Sequence, residues 1–367
     1  MGVVTTDNGK IGIGDFRSNG EYIPYGAGDP TEDEQRIFRQ WGPLNMSFDV
    51  RDLAVYPDTS RSAEGMRAIW QRTPWGSNTQ LDGVLMVDPV FLQELTKISG
   101  NVTIPDGTVL TGDNTAEFLL NKVYVDYPVS MQDALFAQVA EQTVGSMFSN
   151  VDLTKLTKVA QLMGSMAEGR HFSMYAFDET AEKTISDAGF TAQTPSSEEN
   201  PQVGVYVTEQ NPSKMGWYIH RTSKVTRSTC GNDGSQYHVE YKMTNTLESS
   251  QVGALTSYIL GSGGQGVEKT LIYAPAGGSI SNLKTSGGSV TESRQETLNG
   301  KTVYASNATI APGESVTYSF DVTTSTKAVS DLTIDQTPMG WIDSGVTTDT
   351  AACSINKQKS RTVSHRL

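Results

Sequence analysis

A chain of 367 residues, 37% of them hydrophobic, has enough apolar side chain for two domains of ordinary size. Its formal net charge of −13 argues against the basic face with which a nucleic-acid binder neutralises phosphates. The expected surface is acidic and solvated, with a cation-attracting site as the alternative. No apolar run of about 18 residues occurs, so no stretch reads as a membrane-spanning helix.

In chain order, Gly2 to Phe16 predicts a hairpin whose Asn8-Gly9 step supplies the positive φ of the turn. Met1 leads straight into this run without the features of a signal peptide, so an export segment is expected upstream. Residues 42–59 read as a polar loop, followed by a helix with Met66, Ile69 and Trp70 on one face. Leu81 to Val87 predicts a buried strand. Asp88 and Pro89 then cap and open a helix carrying Val90, Leu92, Leu95 and Ile98, and Gly100 ends it. Strand followed closely by helix is the pattern of an α/β domain.

Ser130 to Asp133 predicts a capped helix start, with Phe136, Ala140, Val144 and Met147 forming a stripe. A second helix from Asp152 carries Leu153, Leu156, Val159, Met163 and Met166, and both methionine stripes read as core filler. Phe172 to Phe177 predicts another strand, and a short helix ends near Gly189. The polar stretch Thr191 to Gln202 marks a domain boundary or, equally, a surface loop.

Beyond it the period changes to two. Tyr237, Val239, Tyr241 and Met243 alternate with polar residues, as do Val316, Tyr318 and Phe320. Short β runs near 203–208, 217–222, 237–245, 268–274, 302–310 and 315–323, separated by Gly/Ser/Asn turns, predict an antiparallel β-sandwich. The expected organisation is an α/β domain over 1–200, a β-sandwich over 201–355 and a basic tail over 356–367. The tail reads as disordered or as leading to a removed segment; contact with an anionic polymer or lipid is the alternative.

Cys230 and Cys353 have no CxxC or Cys/His company, which speaks against a metal site. A disulfide between them would close a long loop and requires an oxidising compartment; two separate buried thiols are the other reading. Gly261 to Gly266 matches GxGxxG but precedes a strand-like run, not the helix N-terminus that holds a pyrophosphate, so it reads as a hairpin loop. His171, His220, His238 and His365 lack ligand spacing and read as structural.

The densest charge lies between Asp49 and Arg67: Asp49, Asp52, Asp58 and Glu64 with Arg51, Arg61 and Arg67. Asp15 and Arg17 stand at the end of the opening hairpin. Carboxylates there, Asp49, Asp52 and Asp58 first among them, are of the type that holds Mg²⁺. The arginines are of the type that clamps a diphosphate. A solvated, salt-bridged loop is the competing reading.

Leu81 to Tyr124 (LDGVLMVDPVFLQELTKISGNVTIPDGTVLTGDNTAEFLLNKVY) resembles the central block of an uncharacterised family of actinobacterial cell-envelope proteins, known only as a domain of unknown function. Residues 45–66, GRHFSMYAFDE, NPSKMGWYIHRT, YAPAGGSI and IAPGESVTYSF resemble further segments of that family in the same order. The resemblance implies an upstream membrane anchor and a place outside the cytoplasm. The order of segments is also similar to that of LytR-CpsA-Psr phosphotransferases, which attach polyprenyl-pyrophosphate-linked glycopolymers to the cell wall. That similarity implies an α/β/α sheet domain, in which Asp15 and Arg17 are the candidate catalytic residues.

By the same resemblance, Arg17 matches a functional arginine, but Ser18 follows it where an aspartate is expected. Asn121 and Lys122 stand where pyrophosphate-binding arginines belong. Asp133 falls in the later arginine-bearing helix, with Phe136 and Gln138 where basic residues are wanted. Phosphoryl transfer rests on charge neutralisation and positioning, so these departures remove much of what it needs.

The leading expectation is an extracytoplasmic envelope protein that binds or organises cell-wall glycopolymer, a lipid-linked precursor or a partner protein. Its binding residues would be Arg17, Arg51, Asp52, Asp58, Arg61 and Lys122. A divergent glycopolymer phosphotransferase and an adhesion or spacer protein are the alternatives.

Overall fold

A computed structural model describes residues 1–7, 10–14, 16–39, 46–148, 152–231, 234–291 and 293–350. The chain forms two compact units. Unit 1 comprises Met1–Glu32, Met46–Gln193 and Gly340–Ile342. Unit 2 comprises Asp33–Asn45, Thr194–Met339 and Asp343–Leu367, of which 40–45 and 351–367 lie outside the described residues.

In unit 1 the opening hairpin is present: β1 (Val4–Asp7) pairs antiparallel with β2 (Lys10–Ile13), Val4 opposite Ile13. The Thr59–Arg72 helix follows the polar loop and buries Ser62, Ala63, Gly65, Ile69 and Trp70. β3 (Gly83–Val87) pairs antiparallel with β6 (Phe172–Ala176). β3 differs from the buried strand its apolar run predicts, since Leu85 is 42% exposed. The reason is that β3 sits in a two-stranded ladder and lacks the second neighbour and second cover that buried strands have.

The Pro89–Ser99 helix starts as its sequence predicts. Asp88 Oδ1 accepts from the N–H groups of Val90 and Phe91, both at 2.9 Å, and Gly100 closes the end at φ 97°. The Val129–Phe148 helix begins before the predicted cap at Ser130. There the Gln132 amide donates to Tyr127 O at 3.0 Å, tying the helix to the turn before it. The Leu153–Glu168 helix is capped by Asp152, as expected.

These helices bury their stripes on one another: Phe91, Leu95, Leu119, Val139, Val159 and Phe172 share one core. Leu153 and Leu156, expected in it, are exposed at the helix N-terminus. The remaining ladder is β4 (Val102–Thr103) with β5 (Val109–Leu110). Among the described residues the sheets of unit 1 are therefore three two-stranded antiparallel ladders, where the resemblance to phosphotransferases implies a layered α/β/α sheet.

Unit 2 contains β7 (Gln202–Glu209), β8 (Ile219–Gly231), β9 (Gly234–Asn245), β10 (Gly266–Tyr273), β11 (Ser279–Ser286), β12 (Ser289–Val290), β13 (Arg294–Leu298), β14 (Lys301–Ile310), β15 (Ser315–Thr323), β16 (Thr333–Gln336) and β17 (Val346–Asp349). One sheet runs β12-β14-β10-β7-β16, with β13 also on β14; the other runs β11-β15-β9-β8-β17. Pairing is antiparallel except at two edges, where β16 lies parallel to β7 and β17 parallel to β8.

The period-two pattern is borne out. Tyr237, Val239, Tyr241 and Met243 of β9 and Val316, Tyr318 and Phe320 of β15 are buried together with Val205, Ile272 and Ile310 of the first sheet. The Gly261–Gly266 loop leads into β10, as its sequence predicts. Gly261, Gly263 and Gly264 take positive φ, and the Asn211 side chain holds the loop through Ser262 N and Gln265 O.

The Glu32–Phe38 helix joins this unit from Asp33 onward. Buried Lys269 donates to Ile37 O at 2.8 Å, and burial pushes its ammonium down to about 8. Arg36 pairs with Glu296 and with Asp33, and Asn299 donates to Asp33 and Glu34. Cys230 lies in β8, while Cys353 and His365 lie outside the described residues; among those described no cysteine is free.

Candidate functional site

The predicted catalytic, binding and metal residues that the structure describes fall in several places within unit 1. Asp15 lies outside the described residues. Arg17 pairs with Glu21 at 2.8 Å, and its guanidinium lies 4.3 Å over the Trp75 ring, which Tyr22 and Tyr25 also contact edge-on. Its charge and its flat face are thus both engaged within the fold.

Arg51 forks onto Asp49, Nε to Oδ1 at 3.0 Å and Nη2 to Oδ2 at 2.6 Å. Asp49 is 4% exposed. Burial, the largest influence, raises its pKa, yet the Arg51 side chain and backbone and the Ser47 hydroxyl together hold the carboxyl below its ordinary value. Asp52 Oδ2 accepts from Ser47 N, Ser47 Oγ and Phe48 N, so its lone pairs bind a turn. Asp58 occupies the N-cap position of the Thr59–Arg72 helix. Lys122 closes the π-helical turn Phe118–Lys122 and lies 3.7 Å from Glu117.

The Mg²⁺ candidates Asp49, Asp52 and Asp58 are therefore set to different structural tasks. Among the described residues no group of three or more His, Cys, Asp or Glu is placed to hold a metal ion. The four histidines were read as structural, and two of the three described ones hold carboxylates: His171 with Asp88 at 2.6 Å and His238 with Asp321 at 2.8 Å.

Arg61 is the predicted residue that reaches a cavity. A recess of about 300 Å³ is lined by Gly28, Asp29, Arg61, Glu64, Arg67, Ala68 and Gln71. Positions 61, 64, 68 and 71 recur at helical spacing, so one face of the Thr59–Arg72 helix supplies its floor. The opposite wall is the loop around Gly28. A Cβ on Gly28 would stand 2.8 Å from Gly65 Cα, so the loop backbone rests directly on the helix backbone. Gly28 N donates to Phe48 O at 2.8 Å, Arg72 pairs with Asp29, and Arg61 donates to Asp29 O at 3.3 Å.

Within the recess the two arginines differ. Arg61 is paired with Glu64. The Arg67 guanidinium lies over the Phe177 ring at 4.0 Å, and among the described residues it is in no ion pair. The ring contact holds the guanidinium in place, and a guanidinium carries the planar fork that receives a carboxylate or phosphate in bidentate fashion. The Asp49–Arg67 charge cluster pointed to this helix. Gly28, Asp29, Gln71 and Phe177 were not legible, because only the chain path brings them there.

The family profile described as Protein of unknown function (DUF4012) matches residues 1–124. That span includes every residue lining the recess, while the Phe177 platform lies beyond it. No curated protein matches the chain. Among solved structures, a Legionella pneumophila protein described as nutrient-binding aligns at 7% identity with a TM-score of 0.20, covering 34% of this chain and 44% of that one. The chain thus spans less than half of that protein, and so low a score carries no argument about fold or ligand.

Proposed function

We propose that this chain is an extracytoplasmic cell-envelope protein whose first unit binds anionic groups of cell-wall glycopolymer or of a lipid-linked precursor. The observation that carries the reading is Arg67: a guanidinium held over Phe177, outside any ion pair among the described residues, lining a recess that also holds Arg61 and Gln71. The match of residues 1–124 to a family of unknown function is compatible with the resemblance to actinobacterial envelope proteins. Arg17, engaged by Glu21 and Trp75, favours a binding role over glycopolymer phosphotransfer.

Calorimetric titration with polyprenyl phosphate and with purified wall glycopolymer tests the proposal. Arg67→Ala is expected to weaken binding at least about tenfold, roughly 1.4 kcal/mol, with unfolding unchanged. Absence of heat with every anionic envelope component overturns it.

The same reading includes a Cys230–Cys353 disulfide, formed outside the cytoplasm, and a β-sandwich for unit 2. Thiol labelling of the unreduced, denatured chain is expected to find no free thiol. Two labelled cysteines would remove both the bridge and its argument for compartment.

A further inference from the structure

We infer that Glu209 and Glu268 form a proton-holding carboxyl pair inside unit 2, a device that loosens the packing of its two sheets as the medium turns alkaline. The geometry begins with register. Glu268 of β10 stands directly opposite Glu209 of β7, so the two side chains share one face at a Cβ separation of about 5 Å. That face is the inner one, because Val205, Ile272 and Ala308 on the same period belong to the shared core. Glu268 is buried at the centre of its sheet.

Each packed element presents its own groups to the pair. β8 presents Arg221 and Ser223, β9 presents Tyr241, and β15 presents Tyr318. β14 presents Ser306, whose Oγ lies 2.9 Å from Tyr318 OH across the gap between the sheets. Of these groups only Arg221 carries a positive charge, and one of its nitrogens already donates to Pro338 O at 2.6 Å. Two carboxylates therefore face one partly committed cation.

Glu209 has one oxygen open to a proton. Glu209 Oε1 accepts from the backbone N–H groups of Asn211 at 2.7 Å and Val267 at 3.0 Å. Among the described residues, Glu209 Oε2 and Ser223 Oγ are buried without a hydrogen-bond partner. A protonated Oε2 spares the pair its second charge where solvation is lacking. Burial first, and then the charge of Glu268, pushes Glu209 up to about 9. Burial raises Glu268 to about 7 against the pull of Arg221.

Both values lie above the ordinary 4.5, so the folded unit holds more protons than the unfolded chain across this window. The stability the pair contributes is fully present below about pH 4.5. It is lost as pH rises through about 7 and then about 9.

The test uses the full chain. Infrared spectra at pH 7 are expected to show a protonated-carboxyl band that weakens in Glu209→Gln. Hydrogen exchange of peptides covering β7, β9, β10 and β15, corrected for base catalysis, is expected to accelerate at least about tenfold between pH 6 and 9. Glu209→Gln is expected to flatten that acceleration. Should this variant fail to fold, Glu268→Gln and the wild-type infrared spectrum carry the test. A missing protonated-carboxyl band at pH 7, or a pH slope unchanged in the folded variant, overturns the inference.

Discussion

Asp88→Ala is expected to destabilise unit 1 by about 2–4 kcal/mol, read from urea unfolding at neutral pH. One side chain serves two elements there. Its Oδ1 caps the Pro89–Ser99 helix through Val90 N and Phe91 N, and its Oδ2 holds His171 Nδ1 at 2.6 Å. The backbone closes the same junction, Asp88 N donating to His171 O at 3.2 Å. Losing the cap costs about 1 kcal/mol. Leaving His171, 5% exposed, without its partner adds about 1–3 kcal/mol.

Asp88→Asn keeps an acceptor of the same size at the cap and is expected to recover part of the loss. His171→Ala, which leaves the cap in place, is expected to cost less than Asp88→Ala. A loss below about 1 kcal/mol for Asp88→Ala would show that the junction is held by its backbone alone.

Gly28→Ala is expected to cost about 1–3 kcal/mol, an overpacking effect measured by the same unfolding experiment. The added Cβ would stand 2.8 Å from Gly65 Cα and from Leu53 Cδ2, and 3.0 Å from Gly65 O. Leu53 can turn aside, but the helix backbone at Gly65 cannot. The loop must lift, carrying with it Asp29 and its contacts to Arg61 and Arg72. The recess should deform with it, so weakened ligand binding is expected to accompany the lost stability. Full stability in this variant would mean that loop and helix are not in backbone contact.

Local chemistry made much of unit 2 readable. Alternation along β9 and β15 places Tyr237 to Met243 and Val316 to Phe320 in a core because β side chains have period two whatever the partner strand is. Strands β11, β12, β13, β16 and β17 were not expected, since short edge strands rich in Ser and Thr carry little apolar pattern.

In unit 1 the charges misled as often as they guided. Arg17, Arg51 and Asp52 look like ligand residues, and they hold Trp75, Asp49 and a turn at Ser47. A sequence shows that a charge exists but not whether another residue consumes it.

The sequence by itself determined the local devices: the pairing of the opening hairpin strands (its Asn8-Gly9 step lies outside the described residues), the Asp88 cap, the helix start at Asp152 and the two-residue period of the strands. Each depends on neighbours within a few positions. Tertiary structure alone decided which cation faces the recess, and which glutamates meet inside the sheets. Arg67 meets Phe177 across more than a hundred residues, and Glu209 meets Glu268 through strand register. Such meetings follow from how distant segments pack, and no local pattern encodes them.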